Sequence, residues 1–84
     1  MKEKMIGKVT HYFAHVDAAV IALNDALKVG DRIHIKGHTS DFSQDVTSMQ
    51  IEHTPVSEAK AGDQAGIKVT GKVHEHDDVY KIIE

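Results

Sequence analysis

Apolar and polar residues alternate along the chain in short stretches. In Asp31–Lys36, Ile33 and Ile35 fall on one side, and Arg32, His34 and Lys36 on the other. That is the period of a strand with one buried face. Val46–His53 repeats it, with Thr47, Met49 and Ile51 opposite Ser48, Gln50 and Glu52. Ile67 and Val69 alternate with Lys68 and Thr70. Met5–Tyr12, Ala18–Leu23 and Val79–Ile83 also read as strands, although Ala18–Leu23 is apolar on both faces. Six glycines and one proline break the chain at short intervals, the spacing of an all-β sandwich or barrel. Ile33, Ile35, Met49, Ile51, Ile67 and Val69 are the predicted interior.

One segment has a competing helical pattern. Val16, Ala19, Val20, Leu23 and Leu27 fall at helical spacing, and alanine favours helices. Asn24-Asp25 breaks that pattern, and Val29-Gly30-Asp31 leads directly into the best strand. Residues 16–29 are therefore predicted as strand, turn and strand. Asp41–Ser43 and Pro55–Gly62 read as loops, since Pro55 cannot donate to a central ladder. No internal repeat is evident.

Length and composition narrow the possibilities. Eighty-four residues with 40% apolar content make one domain, spanning 1–84, with one modest core. Two tyrosines, two phenylalanines and no tryptophan leave that core to aliphatic side chains, which suits a small closed sheet. Thirteen acids against ten bases give a net charge of −3, unlike the basic balance of a dedicated nucleic-acid binder. The absence of cysteine removes disulfides, thiolate metal sites and cysteine nucleophiles. With no apolar run of secretory or membrane-spanning length, a cytoplasmic protein with no membrane partner is expected.

Seven histidines raise the question of a metal. The densest group is His74-Glu75-His76-Asp77-Asp78. In an extended segment His74 and His76 would share a side and could chelate with a carboxylate. The plainer reading is an exposed approach to the last strand, and no metal or other cofactor is expected. His11 and His15 have the spacing of a helical chelate but fall at a predicted strand end and loop. Ser48, His53 and Asp63 could supply a triad, yet no nucleophile elbow surrounds the serine. The chain is expected not to be an enzyme. It also has no Gly-x-x-x-x-Gly-Lys-Ser/Thr loop, so neither nucleotide binding nor GTPase activity is expected.

Two phrases carry a family resemblance: Leu27-Lys28-Val29-Gly30-Asp31-Arg32-Ile33, and later Ala61-Gly62-Asp63-Gln64-Ala65-Gly66 ahead of another strand. In order and spacing, over residues 6–83, they resemble the β-barrel second domain of the translational GTPases such as elongation factor Tu. The resemblance implies an all-β fold, a small closed antiparallel barrel of about six strands. Gly30 and Gly62 would supply the positive φ of tight turns, with Asp31 and Asp63 bonding nearby amides. Gly66 would let a neighbouring backbone approach closely. In this family the barrel helps bind the aminoacylated end of transfer RNA. By position, the corresponding pocket residues here are Gln50, Glu52 and Gln64.

The resemblance implies a stand-alone translation-factor-like module, binding ribosomal or transfer RNA or a protein of translation or RNA modification. Arg32, His34 and Lys36 on one outer face are the candidate phosphate-binding patch, beside Gln50, Glu52 and Gln64 as candidate RNA or partner contacts. The carboxy-terminal barrel of the collagenase-like peptidase family is similar as well. That similarity implies an alternative role as an accessory barrel for a separate RNA-modifying or peptidase-type enzyme. A third reading, from the histidines alone, is a metal- or pH-responsive protein.

Overall fold

A computed structural model describes residues 2–83, so the expected domain limits at Met1 and Glu84 lie outside the described residues. Ten strands follow one another: β1 (Lys2–Phe13), β2 (Ala18–Leu23), β3 (Leu27–Lys28), β4 (Arg32–Lys36), β5 (Asp41–Asp45), β6 (Met49–Ile51), β7 (Thr54–Pro55), β8 (Glu58–Ala59), β9 (Gln64–Lys68) and β10 (Asp78–Ile83). A single 3-10 turn, Ala14–Val16, separates β1 from β2. Residues 16–29 thus hold two strands and no long helix, because Asn24-Asp25 ends β2 before a second helical turn's worth of apolar positions can be used.

Eight strands pair antiparallel in the order β5-β4-β10-β1-β2-β9-β6-β7, and β3 pairs with β8 separately. β1 is long enough to serve two neighbours. It pairs with β10 through its first half and with β2 through its second, with irregularities at Met5/Gly7 and Val9/His11. Such bulges bend a strand and increase its twist, allowing the sheet to wrap its core. The core gathers Ile6, Val9, Ile21, Leu27, Ile33, Ile35, Met49, Ile67 and Val79, all essentially solvent-free. Five of the six predicted interior residues are buried; Ile51 is half-buried and packs against the core from its edge.

The backbone ladder does not close into the expected six-strand barrel. β5 and β7 are its two free ends. The reason lies in β5, Asp41–Asp45, which replaces the loop expected at Asp41–Ser43. Ser40, Phe42 and Gln44 turn to one side and meet the segment after β9 with side chains. The Ser40 hydroxyl donates to the Lys72 carbonyl at 3.1 Å, the Phe42 ring lies over Gly71, and the Gln44 amide bonds Lys68 and Thr70. A side-chain seam stands where a barrel would place backbone bonds. The expected strand across Val46–His53 shortens to β6, because Val46 instead closes the β4 entrance through Gly30 and Asp31.

Candidate functional site

Three turns share one construction. Asp31, Asp63 and Asp77 each donate their own N–H to the carbonyl three residues back, on Lys28, Lys60 and His74. In return each carboxylate accepts that same residue's N–H at 2.9 Å. The residue before the aspartate is left-handed in every case: Gly30 at φ 100, Gly62 at φ 94 and His76 at φ 74. The turns expected at Gly30-Asp31 and Gly62-Asp63 are thus present, and a third repeats them without glycine. His74 and His76 therefore lie in a turn and not in an extended chelating segment. Among the described residues no cluster of three or more metal-ligating side chains occurs.

The Gly62-Asp63 turn forms one end of an open groove of about 810 Å³. Its floor is the outer face of β2, β9 and β6, where Val20 and Gln50 flank Gly66 in register on either side. A Cβ built on Gly66 would meet only the Gln50 carbonyl oxygen, at 3.8 Å. The expectation that Gly66 admits a neighbouring backbone is therefore corrected, since the space above it is empty of protein. Phe13, His15, Val16 and Ala18 line the groove at the opposite end. Phe13 and Val16 are 45% and 50% exposed, and both lie on this lining.

Gln50 and Glu52 from one segment and Gln64 from another all line this groove. Glu52 and His53 form the two-residue loop between β6 and β7, with φ of 51 and 65. Both central residues of a type I′ hairpin need positive φ, a geometry that strongly favours Asn-Gly. Asp17, at φ 52, caps the 3-10 turn beside Ala18. Two of the four left-handed non-glycine residues, Glu52 and His53, thus line one groove. Each such conformation costs on the order of 1–3 kcal/mol and concentrates at functional sites. His53 and Asp63 also line the groove while Ser48 does not, so no triad is assembled.

Arg32, His34 and Lys36 lie on another part of the sheet, as β10, β1 and β2 intervene between β4 and β9. Carboxylates answer each of them. Arg32 pairs with Asp45 at 3.0 Å, and Lys36 stands in register with Asp41 and Asp78. His34 bonds Glu3 through Nδ1 at 2.6 Å and Asp41 through Nε2. The Asp41 bond, larger than the opposing desolvation and supported by Glu3, holds the imidazole above its ordinary pKa, and His34 in turn holds the Asp41 carboxyl below the usual range. Two sequence candidates thus separate into a groove and an ion-paired stripe. Val16 and the open floor at Gly66 are not among the candidates that the sequence offers. The signal for them was Ala18–Leu23, whose outward positions Ala18 and Val20 are apolar because they line the groove.

This is a small all-β module with an open groove on its outer sheet face, one end of which is the Gly62-Asp63 turn. The sequence matches elongation factor Tu domain 2 over residues 26–80, and the chain belongs to that family. It is also 41% identical over 80 residues to an uncharacterized protease of Methanocaldococcus jannaschii, covering 94% of this chain but only 20% of that protein. Its fold matches the C-terminal domain of the protein described as a U32 peptidase from Geobacillus thermoleovorans. The TM-score is 0.89, with 17% identity over 95% of this chain and 93% of that one. The selenomethionine variant of that domain gives 0.86, at 16% identity over 90% and 96%. No helix among the described residues is long and apolar enough to cross a membrane.

Proposed function

We propose that this chain is a non-catalytic accessory module for a peptidase-family enzyme in the cytoplasm, and that the Gly66 groove is its working surface. The carrying observation is the 41% identity to a segment of a protease that extends over nearly all of this chain. The groove adds the physical case. It combines exposed apolar side chains, amides able to orient a ligand, and backbone strain at its borders. Chemistry would come from the catalytic chain. The test is size-exclusion chromatography of the purified chain mixed with a peptidase-family catalytic protein of the same source. Co-elution as a stoichiometric complex supports the reading, and independent elution at micromolar concentrations contradicts it.

A second reading, binding to a component of the translation apparatus, is favoured by one observation. Gln50, Glu52 and Gln64 converge on a single groove, as the family's acyl-end pocket requires. Against RNA through the basic stripe stand the carboxylates that already occupy Arg32 and His34. Phosphates would have to displace them.

A further inference from the structure

The groove is bipolar along the strand direction. At the Ala18 end its walls are Phe13 and Val16; at the other, beyond Gln64, they are Glu52 and Asp63. Counting histidine as neutral at pH 7, those two carboxylates are the only charges on the lining. Asp63 commits one oxygen to the Lys60 N–H, whereas Glu52 makes no ion pair among the described residues. A phosphate backbone entering here would meet two negative charges, while a cation would meet two partners. Between the ends, the strand register from Ala18 to Ala22 spans four residues, about 13 Å at the usual rise per strand residue. Gly66 leaves the middle of that path clear for another main chain, with the Gln50 and Gln64 amides beside it.

We propose that the groove holds an extended polypeptide segment of a client protein, with an aromatic or large aliphatic residue against Phe13 and Val16. A lysine or arginine four residues away, on the same side of the extended chain, would sit against Glu52 and Asp63. The separation follows from the length of the groove, and the sign of the charge from its acidic end. Small residues are required between the two anchors, because the main chain must settle over Gly66. This assignment rests on the accessory-module reading and gives that module a ligand: it presents polypeptide to its enzyme.

The test uses acetyl-Phe-Gly-Gly-Gly-Lys-amide, its Glu-ended counterpart, and a cytidine-cytidine-adenosine trinucleotide, each titrated into the isotope-labelled chain by NMR. The lysine peptide is expected to shift the amides of Val20, Gln64 and Gly66 saturably. The glutamate peptide should bind about three- to fivefold more weakly, the scale of one exposed ion pair. Glu52→Gln should narrow that difference, and Gly66→Val should abolish both responses while keeping a folded spectrum. Phe13→Ser, at an exposed position, should weaken both peptides alike. Equal binding of the two peptides, tighter binding of the trinucleotide, unchanged binding by Gly66→Val, or no saturable shift would each overturn the assignment. Co-elution with the peptidase-family protein alongside any of these results would leave the accessory role standing and remove only the peptide.

Discussion

The side-chain amide of Gln44 lies 2.8 Å from the Thr70 N–H and 2.7 Å from the Lys68 carbonyl, taking both backbone groups as a neighbouring strand would. Gln44 is itself almost fully buried, whereas Lys68 and Thr70 are exposed residues, so both bonds are part-buried. Gln44→Ala should cost about 1–3 kcal/mol, the net worth of the two part-buried hydrogen bonds it removes. Urea unfolding measures the loss. Hydrogen exchange adds a local readout, since the Thr70 amide should lose protection before those of β1 and β2.

The three aspartate turns predict opposite outcomes for related substitutions. Nothing lies within 4 Å of a Cβ on Gly62, so Gly62→Ala meets no steric obstacle and its cost is conformational. Stability should fall by about 1–2 kcal/mol. His76 occupies the same left-handed position in the third turn, and His76→Gly should raise stability by roughly 0.5–1 kcal/mol as strain is relieved against glycine's greater unfolded entropy. Thermal melts of the two variants should move in opposite directions.

His34 makes stability depend on pH. Its pKa is raised in the folded state, chiefly by Asp41 and then by Glu3, so the protein gains from the protonated imidazole. That gain is complete below the ordinary histidine value of 6.5 and is lost as pH rises through the higher folded value. Asp41 behaves oppositely: its lowered pKa contributes stability above the ordinary carboxylate range, lost as pH falls through the folded value. Denaturant midpoints for His34→Gln should be flatter than wild type above pH 6.5, with the two converging at high pH.

Gly66 separates a structural glycine from a functional one. Its backbone is not in the left-handed region, and the space above it is open. Gly66→Val should therefore fold and gain up to about 1 kcal/mol, because a β-branched residue suits a strand interior better than glycine. Chemical denaturation checks the sign. A loss above 1 kcal/mol would mean that the glycine serves packing and not the groove.

Much of the core could be read from alternation alone. Ile33, Ile35, Met49 and Ile67 face inward because their strands have a clear polar side. The Gly-Asp turns were legible because positive φ and an adjacent carboxylate leave a chemical mark. In the third turn His76 adopts glycine's conformation without glycine's identity, so no glycine marks it locally. β5 was hidden by Ser40 and Gln44, polar residues buried by bonds to backbone 24 to 32 positions away in sequence. Within the site, Gln50, Glu52 and Gln64 were found by position along a resembling chain. Val16 was not, since the only mark of the groove in the sequence is indirect, the apolar outward positions Ala18 and Val20 of β2.

The accessory role is tested most directly by quantifying what a tagged form of this chain captures from lysate of its source, with and without ribonuclease. A peptidase-family protein should be the most enriched partner and should survive ribonuclease. Enrichment of ribosomal proteins or elongation factors that disappears on ribonuclease treatment, with no peptidase-family protein retained, would contradict the account.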